Sequence, residues 1–266
     1  MAHSVVRWLA AALFAVGCAA LGVYVASVVM PSTVEPAASP TPVIVAVTAT
    51  ATAFPSPPAA TLAPVDGINL SEHSIDKPDS VWVVVNKRRA LDPLEFEPKD
   101  LVGTGVPGGG ELTKEAAAAL RKMYEAAAAD GAPFRVSTAY RSYNFQKGLF
   151  QDYVRSDGVV AAERYSARPG YSEHQTGLSL DVLDPAEGCH LKRCFATTDA
   201  GKWLYKHAAD YGFIERYPDG GTDVTGYKWE PWHWRYVGVE LAQYMREEGI
   251  ATLEEAFDLP AAPSYK

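Results

Sequence analysis

Hydrophobic positions fall into three regimes along the chain. From Trp8 to Met30 there are 23 residues without a charge, enough to cross a hydrocarbon core of about 30 Å as a helix. From 31 to 65 apolar and small residues show no periodicity. From 66 onward, runs of period two and period 3.6 alternate with turn residues. Val81–Val85 (VWVVV) reads as a strand, and Thr113 as the N-cap of an Ala-rich helix that ends near Asp130 and Gly131 with Pro133 beyond. Strands are expected at Phe134–Thr138, Leu178–Leu183, Phe213–Arg216 and Trp232–Tyr236, and helices at Asn144–Val154, Asp199–Tyr211 and Val239–Glu248. The order lacks a βαβ rhythm, so the class expected is α+β with a mostly antiparallel sheet flanked by helices.

These regimes divide the chain into an N-terminal segment 1–30, a spacer 31–65 and a folded part 66–266, a comfortable length for one core. Arg7 precedes the apolar run and no Lys or Arg follows before Lys77. That asymmetry predicts a single-pass membrane anchor with everything after it outside the cytoplasm. The competing readings are a cleaved signal peptide, whose apolar core is usually shorter, and a lipid-anchored Cys18. The spacer holds eight of the 19 prolines, with Glu35 as the only charge between Pro31 and Pro64. Such a stretch buries no core and should extend as a semi-rigid tether. A tether outside the membrane makes cell-envelope material the natural target.

Composition narrows the classes further. With 48% apolar and 21% charged residues the chain is globular, and a net charge of −8 offers no basic surface for a nucleic-acid partner. Three cysteines exclude a disulfide scaffold and a four-thiolate metal site. Cys189 and Cys194, with four residues between them and outside the cytoplasm, are expected to form a small disulfide loop, which chain entropy credits with about 2 kcal/mol. A metal site from Cys189, His190 and Cys194 is the alternative and lacks a fourth ligand. Oligomeric state leaves no mark in the sequence.

Candidate chemistry sits in three places. In Ser172–Asp181 (SEHQTGLSLD) a His on a turn is followed, after a glycine, by a carboxylate on a strand, so His174 and Asp181 can reach one cation. In Glu230–Arg235 (EPWHWR) Pro231 holds Glu230 extended ahead of a strand on which His233 and Arg235 share a face. Tyr140-Arg141-Ser142 offers a fixed cation directly after the strand 134–138. Two histidines and one carboxylate leave a position for water, as a catalytic zinc site requires, with Glu230 as base. His3, His73, His190 and His207 read as ordinary surface or core histidines, and Trp229, Trp232, Trp234 and Tyr236 as core packing.

The motifs S-x-H-x-x-G-x-x-x-D and E-x-W-H resemble the zinc D-alanyl-D-alanine carboxypeptidase family, in particular its vancomycin-resistance branch, whose relatives share a fold with the Hedgehog signalling domain. The likeness spans most of 80–240. It includes Val85-Asn86-Lys87, Thr138–Gln146, Gly170–Asp181, Tyr211-Gly212-Phe213 and Glu230–Tyr236. The resemblance implies a Hedgehog/DD-peptidase-like fold and zinc held by His174, Asp181 and His233. It implies Glu230 as general base, Arg141 at the transition state, and substrate contacts from Gln146, Ser172 and Trp232. The implied partner is a peptidoglycan stem peptide that loses its C-terminal D-Ala. Alternatives within this fold are cleavage of cross-bridges, L,D-carboxypeptidase action, and a non-catalytic wall-binding module. Ser179 departs from the family's usual Ala.

Overall fold

The computed structural model describes residues 67–266 apart from Glu187. The anchor 1–30, the spacer 31–65 and His3 lie outside the described residues. Among the described residues no helix is long and apolar enough to cross a membrane.

The chain enters through the hairpin β1 (Leu101–Gly103) and β2 (Glu111–Thr113), then runs through α1 (Lys114–Ala129), β3 (Arg135–Thr138), α2 (Tyr143–Asp157) and the short α3 (Val159–Ala162). After a 3₁₀ turn at Glu173–Thr176 come β4 (Ser179–Leu183), α4 (Asp199–His207), β5 (Phe213–Glu215), α5 (Thr222–Thr225), β6 (His233–Tyr236), α6 (Val239–Glu247) and α7 (Leu253–Ala256). Four strands form one sheet in the order β3-β4-β6-β5, every pair antiparallel. The α+β expectation with an antiparallel sheet is met. The hairpin β1–β2 and the short helices α3, α5 and α7 carry too few residues for a periodicity to show.

Strand alternation gives the sheet two chemically different faces. Leu180, Val182, Trp234 and Tyr236 join Leu120 and Met123 of α1 and Trp203 and Leu204 of α4 in the main core. Ser179, Asp181, His233 and Arg235 point the other way, and all four are buried. A polar face can be buried only if each group finds a partner.

Helix α1 buries Ala116, Ala117, Leu120, Met123 and Ala127, one stripe of a 3.6-residue period. It ends at Gly131, whose φ of 76° is left-handed, with Ala132 N–H donating back to Ala127 O at 2.8 Å. Thr113 occupies the N-cap position but its side chain caps nothing. Asp100 acts instead, its Oδ2 accepting from the N–H of Lys114 at 3.3 Å. At the start of α2 the N-cap side chain does cap, with Ser142 Oγ accepting from Phe145 N–H at 3.2 Å. The expected helix over Asp199–Tyr211 divides into α4 and a 3₁₀ turn at Ala208–Tyr211 before left-handed Gly212.

Val81–Val85 is not a strand of either sheet, which corrects the sequence reading. The segment is buried and still sorts by alternation: Val83 and Val85 enter the main core, Trp82 and Val84 a second one with Leu241, Met245 and Leu253. Its backbone bonds go elsewhere than a ladder. Arg235 Nη2 donates to the carbonyls of Val81 and Val83 at 3.0 and 2.9 Å, and Val84 N–H donates to Ile75 O at 3.0 Å. A guanidinium from β6 thus takes the place of a neighbouring strand.

Candidate active site

Register brings the chemistry together. Asp181 of β4 pairs directly with His233 of β6, and Thr138 pairs with Asp181 on the other side across a bulge in β3. The third residue comes from the 3₁₀ turn. Gly177 closes that turn at φ 67°, a left-handed conformation that favours glycine, and an added Cβ would lie 2.9 Å from Leu101 Cδ2 and 3.3 Å from Thr113 N. His174 is then fixed by its Nδ1, which donates to Ala139 O at 2.7 Å, while Arg141 N–H donates to His174 O at 3.2 Å.

His174, Asp181 and His233 each offer one ligand atom, and these atoms lie within 4.8 Å of one another, all buried. His174 Nε2 stands 3.4 Å from Asp181 Oδ2 and makes no hydrogen bond. An unpaired imidazole nitrogen facing a carboxylate in a buried site fits a cation between them. His233 presents Nδ1 to Asp181 Oδ1 at 3.1 Å, and its Nε2 faces Glu173 Oε2 at 3.6 Å. Two imidazoles and a carboxylate are donors of the kind that divalent zinc takes, with a position left for water.

Electrostatics suit these roles. Burial and the nearby Arg141 cation lower the pKa of His174 to about 4, so it is neutral and ready to ligate. Burial pushes the Asp181 carboxyl up, but His174 and His233 outweigh it and hold the group well below the usual carboxylate range. Burial also disfavours charge on His233, yet Asp181 and Glu173 together raise it to about 9. Ligating a cation there requires that proton to leave. Glu230 is raised to about 8, by burial first and Asp181 second, against the pull of His233 and Arg141. A cation beside it reverses that balance toward the carboxylate.

The three residues form the floor of a cavity of about 620 Å³ that Arg141, Ser172, Glu230 and Trp232 also line. Arg141 leaves its Nε buried without a partner. Gln146 lies behind the wall instead of on it, donating through Nε2 to Ala167 O at 2.7 Å and to Ser166 Oγ at 3.3 Å. Trp229 and Trp232 face the cavity, whereas Trp234 and Tyr236 pack in the core, so the aromatic run divides between the two uses. Cys189 and Cys194 are joined as a disulfide, not a metal site. His190 bonds Ser137 Oγ at 2.8 Å, His73 packs on Trp82 and His207 on Trp203.

Glu173, which is 1% exposed, carries no mark in the sequence that sets it apart from a surface glutamate. Its Oε1 accepts from Arg216 Nε at 2.8 Å and Arg235 Nη1 at 2.9 Å, and its Oε2 from Ser179 Oγ at 3.2 Å. Burial raises its carboxyl, but the two guanidinium groups more than offset that and keep it ionised. Arg216 also pairs with both oxygens of Glu254, at 2.9 and 2.8 Å. The polar face of the sheet is therefore a satisfied charge network that ends at His233. Tyr217, whose ring lies 4.8 Å from that of His233, was likewise unmarked.

Residues 109–239 match the VanY family, described as D-alanyl-D-alanine carboxypeptidase. The chain is 40% identical over 201 residues to YodJ of Bacillus subtilis (strain 168), covering 73% of this chain and 71% of that one. Among solved structures it resembles the LdcB LD-carboxypeptidase, with a TM-score of 0.64, 40% identity, and coverage of 68% of this chain and 87% of that one. It also resembles the D,D-pentapeptidase VanY of the VanB-type resistance cassette, solved in complex with Zn(II). There the TM-score is 0.56 at 30% identity, over 65% of this chain and 96% of that one.

Proposed function

The chain belongs to the VanY family of D-alanyl-D-alanine carboxypeptidases, and from that premise we propose that it removes the C-terminal D-alanine of peptidoglycan stem peptides with the help of zinc. The observation that carries the reading is the convergence of His174, Asp181 and His233 on the floor of one cavity with Glu230 beside them. These three residues would hold zinc, which when bound supplies a Lewis acid and brings the pKa of water to about 7.

Glu230 takes the proton of the attacking water and returns it to the departing amine, a role that needs a carboxylate whose proton affinity is close to neutral. Arg141 is a fixed cation in the same cavity and meets the negative charge that grows on the carbonyl oxygen. Ser172 and Trp232 shape the wall against which the peptide lies. Gln146 acts through Ser166 and Ala167, which it holds at the cavity edge.

The likeness to an LD-carboxypeptidase supports a second reading, removal of a D-residue from an L-configured neighbour. Incubating the full chain with stem pentapeptide and tetrapeptide, each followed by mass spectrometry, separates the two. Loss of one alanine from the pentapeptide is expected. Loss from the tetrapeptide alone supports the L,D reading, cleavage of cross-linked dimers alone an endopeptidase, and no product in the presence of zinc a binding module.

The run Trp8–Met30 and the Pro-rich stretch to 65 support a membrane-tethered placement outside the cytoplasm. Fractionation of cells tests it: the protein is expected with membranes, and recovery in culture fluid on a chain beginning after Met30 means a cleaved signal.

A further inference from the structure

The cavity has a wall that the catalytic reading leaves unused. Leu191, Lys192 and Arg193, consecutive residues inside the loop closed by the Cys189–Cys194 disulfide, line the same cavity as His174, Asp181 and His233. The loop is built to keep its shape. Besides the covalent closure, Lys192 N–H donates to Cys189 O at 3.1 Å, and His190 Nε2 bonds Ser137 Oγ at 2.8 Å. Phe195, directly after the loop, is fully buried in the main core. Leu191 sits at φ 48°, a left-handed conformation that a branched side chain adopts only where its surroundings impose it. The shape of this part of the cavity wall is therefore set by the loop's own covalent and hydrogen-bonded closure.

Its charges point the same way. Among the described residues, every carboxylate lining the cavity has a use: Glu173 is paired with Arg216 and Arg235, Asp181 faces the two histidines, and Glu230 stands as the base. Lys192 and Arg193 are exposed, and among the described residues neither makes an ion pair with a carboxylate. Arg193 instead lies 5.9 Å over the face of Trp229, which steers its guanidinium along the cavity wall. Lys228, a third cation, lines the cavity as well. In a chain of net charge −8 this is a local reversal of sign on the cavity wall.

We propose that the disulfide loop forms an anion subsite, in which Lys192 and Arg193 bind a free carboxylate of the stem peptide upstream of the bond that is cut. The inference rests on the carboxypeptidase reading for the identity of the peptide. Arg141 already answers the negative charge at the reaction centre, so the loop's cations address a second anionic group. A stem peptide has two sources for it: the α-carboxylate of a γ-linked D-glutamyl second residue, and the side-chain carboxylate of a diaminopimelyl third residue.

The test uses the full chain in detergent micelles, loaded with zinc, and three pentapeptides: one with both carboxylates free, one amidated at the second residue, and one amidated at the third. Amidating the recognised group is expected to raise KM about tenfold, the size of losing one charge-assisted contact, with kcat little changed, and the arm that responds identifies the source. In Lys192→Ala/Arg193→Ala, both positions being exposed, KM for the free peptide should rise to that of the amidated one. A Cys189→Ser/Cys194→Ser variant should show the same loss of discrimination. Equal KM for all three peptides in the parent protein, or discrimination that survives Lys192→Ala/Arg193→Ala, overturns the subsite. If none of the peptides is turned over, the carboxypeptidase reading fails. The subsite is then decided by calorimetric Kd for the same three peptides, equal values overturning it.

Discussion

Oε2 of Glu173 lies 3.6 Å from Nε2 of His233 and accepts a hydrogen bond from Ser179 Oγ at 3.2 Å. In the proposed zinc site a carboxylate behind the imidazole would favour a proton on its own side, Nε2, and leave Nδ1, the nitrogen turned toward Asp181, free to ligate. Glu173→Gln should weaken zinc binding by about 10–100-fold in a competition titration with a chromophoric chelator. It also leaves Arg216 and Arg235 undercompensated, so thermal unfolding should show a loss of roughly 3–5 kcal/mol. Ser179→Ala keeps both guanidinium partners and should cost only about 1 kcal/mol. A Glu173→Gln protein with unaltered zinc affinity would show that the Glu173 charge does not set His233.

His233→Ala and Glu230→Gln should separate binding from chemistry. The first removes a proposed ligand and should purify with little zinc, measured by plasma emission on dialysed protein. The second keeps the shape of the side chain but cannot accept a proton, so zinc stays and turnover drops. Full occupancy in His233→Ala, or metal loss in Glu230→Gln, exchanges the two roles.

Arg141→Ala should lower kcat by about 10²–10³-fold with KM little changed, because its cation is needed most when negative charge appears on the carbonyl oxygen. Steady-state kinetics on a pentapeptide decides this. A raised KM with unchanged kcat marks Arg141 as the anchor of the terminal carboxylate instead.

Protein stripped of metal by chelation should lose stability as pH rises from 6.5 to 9. His233 and Glu230 have folded-state pKa values raised from 6.5 to about 9 and from 4.5 to about 8. The stability each contributes is full below its unfolded pKa and lost as pH climbs through the folded one. His174 is depressed to about 4, so its contribution is lost only as pH falls below 6.5, outside this window. Thermal unfolding should show Tm falling across the window by about 2–4 °C for each kcal/mol lost. Zinc should reverse the trend, since it binds the deprotonated imidazoles. A flat Tm without metal argues that water reaches these groups.

Much of the site was legible because its chemistry is carried by short local motifs. His174 and Asp181 lie on either side of a glycine turn, and Glu230 stands three residues ahead of His233 on a proline-stiffened lead. Alternation likewise marked the strand β4, since a strand with one apolar and one polar face must sort its side chains between them. What the sequence by itself determined was therefore the residue types, the local turns and the two-faced strands. That Asp181 stands opposite His233 is a matter of register between strands some fifty residues apart, which local pattern does not encode. For the same reason VWVVV reads as a strand and is not one: alternation reports two buried faces, while the hydrogen bonds that define a strand come from a partner, here the guanidinium of Arg235. Only the tertiary structure turned Glu173 from a surface-type residue into a buried carboxylate behind His233, and placed the disulfide loop on the cavity wall, because burial and long-range charge pairing depend on what the rest of the chain brings to the same place.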